Sequence, residues 1–149
     1  MKLIFTLIVS LTLLNAKIIN NHNNTVTDTL THLQWQDSTA NQTDTRDWVH
    51  AISYCQNLSL DGYTDWRLPN INELKSLLEY SKDVNSMVAG FRYYATNPPR
   101  IYWTSTSVSK LADYAWVVNF NYGSVTYFHK TGRVASYYRV RCVRDENIK

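Results

Sequence analysis

Tyr138-Arg139-Val140-Arg141-Cys142-Val143-Arg144 is the stretch whose reading decides the fold. Side chains alternate along a strand, so Val140 and Cys142 share one face while Arg139 and Arg141 share the other. The expectation is a final strand with an apolar inner face and a basic outer face. The chain's other cysteine, Cys55, lies on a helical stripe with Trp48, Ala51, Ile52 and Leu58, which turns it toward the core. An even pair of cysteines in an exported chain reads as a bridge before it reads as chemistry. Two buried free thiols are the alternative. A bridge closes a loop of 87 residues and ties the first helix to the last strand. The chain-entropy model values such a closure at about 4–5 kcal/mol.

The rest of the chain fits around that tie. Thr25–Asp28 and Leu33–Gln36 read as short strands around a turn. Asp44 is a suitable N-cap for the first helix, with Asp47 favouring its positive end, and Asp61-Gly62 ends the element. Asn70 caps a second helix after Pro69, and Glu73 completes a capping box. Leu74, Leu77 and Leu78 face the core, and this helix is expected to run to about Tyr80–Asp83. Residues 84–100 read as a long loop with Gly90 and Pro98-Pro99. Ile101–Thr106 is a strand, and Tyr114, Trp116, Val118 and Phe120 alternate along the next, giving it one heavily apolar face. Asn121-Tyr122-Gly123 turns it into a partner at Ser124–Phe128, and Lys130-Thr131-Gly132-Arg133 marks a further turn. The class is α+β, with two early helices packed on a mainly antiparallel β-sheet and a helix-to-last-strand disulfide.

The opening residues read differently. Lys2 precedes an uncharged apolar run from Leu3 to Leu14, and Asn15-Ala16 offers a small-residue exit. That pattern is a secretory signal, and the run falls short of the ~20 apolar residues of a spanning helix. The expected organisation is therefore a signal peptide at 1–16, a flexible lead-in at 17–24, a domain at 25–145 and a tail at 146–149. No second stretch is long and apolar enough for a membrane span in the mature chain. The destination is the periplasm or the cell exterior.

Composition is that of a globular domain, with 44% hydrophobic and 18% charged residues, and it is rich in aromatics, with 5 Trp and 11 Tyr. Charge is skewed. Residues 17–91 hold five basic against nine acidic side chains, whereas residues 92–144 hold eight basic against Asp113 alone. Such a skew suits an anionic partner. Lys130 and Arg133 at one turn, with Arg139 and Arg141 on the last strand, are the candidate ligand-binding residues, for sulfated or acidic polysaccharide. A purely solubilising or salt-bridging role is the plainer alternative.

Other chemistry lacks a signal. His22, His32, His50 and His129 show no paired metal spacing, and no metal or cofactor is expected. The 4 glycines are too scattered for a phosphate loop, and no nucleophile elbow or zincin motif occurs. No nucleic-acid motif is present. Asp65, Trp66, Arg67 and Pro69 read as scaffold, with Trp66 a core anchor and Arg67 an ion-pair partner holding the loop before the second helix. Sequons at Asn23, Asn41 and Asn57 matter only in a glycosylating pathway. The expected function is that of an exported, non-catalytic binding module with an adhesion-type role. An enzyme with carboxylates assembled across loops, and a protein-binding subunit of a surface assembly, are the alternatives. An oligomer is compatible with either binding role.

Several strings together resemble one family. These are Thr25-Val26-Thr27-Asp28 with Leu33-Gln34-Trp35, Asp61-Gly62-Tyr63-Thr64-Asp65-Trp66-Arg67-Leu68-Pro69 with Glu73-Leu74, Tyr102-Trp103-Thr104-Ser105-Thr106, and Val140-Arg141-Cys142-Val143-Arg144. They resemble the Lcl C-terminal domain family over essentially the whole expected mature chain, most specifically at Asp65–Pro69. The resemblance implies a fold related to C-type lectins and formylglycine-generating enzymes, in which an early helix is commonly tied to the last strand by a disulfide. For the collagen-like adhesin that gives the family its name, it implies binding of sulfated glycosaminoglycans and trimer formation. This chain has no collagen-like repeat. Trp116 is followed by Val117-Val118-Asn119 rather than a lectin calcium string, and no closely placed cysteine pair occurs. Neither calcium-dependent sugar binding nor oxidative catalysis is therefore carried over.

Overall fold

The computed structural model describes residues 18–80, 86–95 and 97–146. The expected signal peptide at 1–16 lies outside the described residues.

The architecture is α+β, with two antiparallel sheets in place of the single sheet expected. The first sheet has the order β1-β2-β3-β7, from β1 (Ile18–Asn20), β2 (Thr25–Asp28), β3 (Leu33–Gln36) and β7 (Val143–Asp145). The second is the meander β4 (Ile101–Val108), β5 (Leu111–Asn119) and β6 (Ser124–His129). Helices α1 (Ala40–Thr43), α2 (Trp48–Gln56) and α3 (Ile71–Lys75) are short, and a 3-10 turn spans Ala135–Tyr137.

Four local expectations are corrected. Residues 18–20 are not a flexible lead-in, because β1 pairs with β2 and Ile18 packs against Gly90. Gly90 has φ +113, and a Cβ there would come within 2.6 Å of Ile18 Cγ2, so only glycine admits the approach. The cap of α2 is Asp47, whose carboxylate accepts from the His50 amide, and not Asp44. The backbone before it is held extended, since Thr45 bridges Arg139 and the Arg46 amide donates to Tyr138 O. The second helix stops after Lys75, because the following backbone pairs with residues 86–88 instead (Leu78 with Met87, and the Val88 amide to Leu77 O). The capping box at its start is present, with Asn70 and Glu73 each accepting the other's backbone amide at 2.9 and 2.8 Å. Finally, the last strand is only three residues long.

That shortening has a reason. Residues 138–145 run between the two sheets. At Arg139 the segment bridges β4 and Thr45, with the Trp103 amide donating to Arg139 O and the Arg139 amide to Ile101 O. From Val143 onward it pairs with β3 on one side and Arg67 on the other. The chain's end thus stitches one sheet to the other.

Two apolar cores result. In one, Val26, Trp35 and Val143 of the first sheet meet Leu74 and Leu77 from α3 and its following turn, together with Tyr102 and Val118. In the other, Ala51 and Cys55 of α2 meet Trp66, Trp103, Val117 and Tyr138. The meander therefore has an apolar residue set on each face. Cys55 and Cys142, both fully buried, form the disulfide in the second core, with Cα atoms 5.5 Å apart.

Replacing both cysteines by alanine should lower unfolding free energy by about 4 kcal/mol or more, since the closed loop is long and two buried side chains are also lost. Urea titration of the double variant against the oxidised parent measures this, and an unchanged midpoint would contradict it.

Candidate functional site

The four candidate cations separate sharply. Arg139 and Arg141 are buried, at 8% and 0% exposure, which corrects the expected outer basic face. Arg139 donates to the carbonyls of Pro99, Gln42 and Asn97. Arg141 donates to the carbonyls of Gln36 and Tyr93, ion-pairs with buried Asp37 at 3.4 Å, and lies 4.4 Å over the Phe91 ring. Asp37 in turn accepts the amides of Arg92 and Tyr93. Arg141 holds the loop after Gly90 against β3, Arg139 holds Asn97 and Pro99 against α1, and neither guanidinium is available to a ligand.

Arg144, also buried, pairs with Asp65 at 2.7 Å, donates to Gln34 and stacks 3.6 Å from the Tyr63 ring centre. Lys130 is half-buried. Its ammonium donates to Ser107 Oγ and Ala112 O and sits 4.1 Å over the Trp48 ring. Arg133 alone of the four is exposed.

The Asp65–Pro69 string forms the junction between the turn and α3. Trp66 is buried and donates to Leu60 O. Arg67 makes a bidentate pair with Glu73 at 2.8 and 2.9 Å and a second pair with Asp145 at 2.9 Å. The Glu73 carboxylate beside it raises its already high pKa. Pro69 O accepts the Ser105 amide, fixing α3 to β4. All four residues act within the fold.

A different surface presents itself on the β5–β6 hairpin. Strand parity puts Tyr114, Trp116 and Val118 on the face that α3 covers, opposite Ala115 and Val117. Val118 and its partner Val125 lie in or against the first core, where α3 packs. Beyond α3 the same face continues partly exposed, with Tyr114 and Trp116 half-buried. There Trp116 pairs with Tyr127 and Tyr114 with His129. The rings form an edge-to-face cluster: Trp116–Tyr127 at 5.4 Å, Tyr127–Tyr114 at 5.8 Å, Tyr114–His129 at 5.2 Å. Tyr127 is 43% exposed and His129 is exposed. Sequence alternation signalled this face but could not show where its cover ends.

Two concavities lie elsewhere. A shallow groove on α2 is lined by Arg46, His50, Tyr54 and Asn57, with Arg46 paired to Asp44 and His50 to Asp47. A cleft of about 370 Å³ lies between Ile18, Asp28 and Leu30 on one side and Ser76, Glu79 and Val88 on the other. The Asp28 carboxylate accepts the Leu30 and Thr31 amides. Among the described residues no group of three or more His, Cys, Asp or Glu is placed to hold a metal ion. No helix among them is long and apolar enough to cross a membrane.

Two measurements check these assignments. Arg141→Ala should cost about 3–5 kcal/mol of stability, because buried Asp37 is left without its cation. A loss of ligand binding with an unchanged melting curve would contradict that structural role. Arg144 holds the Asp65 carboxyl below its ordinary value of 3.8. The pair therefore stabilises the fold above that pH, and its contribution is lost as pH falls through the folded value. Asp65→Asn should lower Tm near neutrality and converge with the parent by about pH 2, whereas a gap of constant size across that range would refute the linkage.

No curated protein matches the chain. Residues 24–144 match the model of the Lcl C-terminal domain, which spans both sheets, all three helices and the disulfide but for β1 and the last residue of β7. The chain belongs to the Lcl C-terminal domain family.

Proposed function

We propose that the protein is an exported, non-catalytic binding module that recognises a glycan or another anionic surface polymer, on a C-type-lectin-like fold. One observation carries this reading: the partly exposed ring cluster of Trp116, Tyr127, Tyr114 and His129, two adjacent cross-strand pairs on a hairpin anchored in both cores. Partly exposed rings with polar tips suit the apolar face and hydroxyl edge of a sugar, and their rigidity limits the entropy lost on binding. The buried bridge supports an oxidising compartment, as does the apolar run after Lys2. The basic character of the second half contributes less than its count suggests, since Arg139, Arg141 and Arg144 are internal. The resemblance of the chain's motifs to a glycosaminoglycan-binding adhesin domain favours the same ligand class.

A protein partner at the cell surface is the second reading. It is favoured by Val134 and Tyr137, 59% and 55% exposed beside Arg133.

Trp116→Ala and Tyr127→Ala, each expected to keep the parent's circular dichroism, should weaken binding on a glycan array about tenfold or more, in line with the large contact area of such rings. Full retention by both variants would remove the basis for the glycan reading. Loss on Val134→Ser with Tyr137→Ser instead would favour the protein partner.

A further inference from the structure

Among the described residues, the sheet edges of this fold are occupied at β1, β4 and β7 and open at β6. The outer edge of β4 is taken, since the Trp103 amide donates to Arg139 O, the Arg139 amide to Ile101 O and the Ser105 amide to Pro69 O. Arg67 and Val143 exchange both backbone bonds along the outer edge of β7. At β1, only three residues long, Asn20 Nδ2 donates to Gly90 O and Ile18 packs on Gly90. β6 ends its sheet, and among the described residues no backbone hydrogen bond reaches its far side.

Register shows what that far side presents. The Lys130 amide donates to Asp113 O, just past the Tyr114–His129 pair, and the Phe120 amide donates to Arg100 O on the β4 side. Hydrogen-bonded pairs alternate along an antiparallel ladder, so Ser124, Thr126 and Phe128 turn their amides and carbonyls to β5. Those of Val125, Tyr127 and His129 point out of the sheet. β5 and β6 stay in register over all six residues of β6, without the shifts found between β4 and β5. The strand, Ser-Val-Thr-Tyr-Phe-His, carries none of the lysines, prolines or bulges that keep natural edges apart.

From these observations we propose that β6 pairs with β6 of a second copy of this chain, antiparallel about a two-fold axis at Tyr127. Tyr127 then faces Tyr127 of the second copy and Val125 faces its His129, each pair exchanging both amide–carbonyl bonds. On the opposite face Thr126 meets Phe128 of the second copy. Aromatic and β-branched cross-strand contacts of this kind stabilise sheets, and no charged side chain of β6 opposes another. The edge is complementary to itself, and a two-fold interface uses one surface twice and closes at two copies. The two meanders become one continuous sheet. Because a strand adds in the plane of the sheet, the ring clusters of both copies lie side by side on one open face. The pairing is independent of which ligand those rings take.

Sedimentation equilibrium of the oxidised protein over a range of concentrations tests this, with circular dichroism to verify that each variant is folded. The expected result is a reversible monomer–dimer equilibrium. Tyr127→Glu and Tyr127→Lys each set like charges opposite one another at the axis, so each should be monomeric alone. Mixed together they should form a heterodimer. His129→Pro removes an outward amide and leaves the β5 ladder intact, and it should weaken the dimer at least about tenfold. Val134→Ser with Tyr137→Ser should leave the dimer as it is. A protein monomeric at every concentration would leave the edge to another protein's strand and overturn the self-pairing. A mass of three copies, a dimer unaffected by Tyr127→Glu or His129→Pro, folded charge variants that fail to associate when mixed, or a dimer abolished by Val134→Ser with Tyr137→Ser would overturn it too.

Discussion

The fold depends on one segment, Tyr138–Arg144, being buried on both of its sides. Residues 138–145 join β4 to β3 by backbone hydrogen bonds, and the bridge from Cys142 to Cys55 clamps the segment to α2. On one side Val140 and Cys142 enter the second core. On the other, Arg139 and Arg141 enter a layer of loop carbonyls. A buried guanidinium suits that second side because it has five donors and no acceptor, so a few carbonyls and one carboxylate can satisfy most of it. An aliphatic residue there would leave those carbonyls unpaired.

Residues far apart in sequence are ordered by this arrangement. Asp37 follows β3 directly, yet it organises the loop at Arg92 and Tyr93 through its carboxylate and supports Arg141 at the same time. Arg67 and Arg144, on neighbouring backbone segments, carry the turn and α3 in the same way through Glu73, Asp145 and Asp65. Two cations of the basic second half, Arg141 and Arg144, are thus paired with carboxylates of the acidic first half, Asp37 and Asp65. The outer surface of the hairpin is left to aromatic rings.

Much of this could be read from the residues themselves. Cys55 on an apolar helical stripe and Cys142 on an alternating strand pointed to each other, and the Asn70–Glu73 box and the Asn121–Gly123 turn announced α3 and the hairpin. These are local signals, each complete within a few residues. Arginine placement was misread because period two separates Arg139 and Arg141 from Val140 and Cys142 without telling what lies beyond either face. The exchange of Asp44 for Asp47 as cap has a similar origin, since only the distant strand-like contact at Arg139 keeps residue 45 extended. Splitting of the sheet into two, and the cover that α3 gives to Val118, are likewise properties of tertiary packing.

The covalent ring formed by Cys55 and Cys142 encloses α3, the whole meander and the aromatic cluster. A pull applied through the chain's two ends is transmitted across the sulfur–sulfur bond, and the 87-residue interval between the cysteines cannot pay out. Mechanical load therefore lengthens only the polypeptide outside the ring, such as β1, β2 and β3, and leaves the hairpin slack. The aromatic rings of the hairpin therefore stay within the clamped part of the chain while the segments outside it extend.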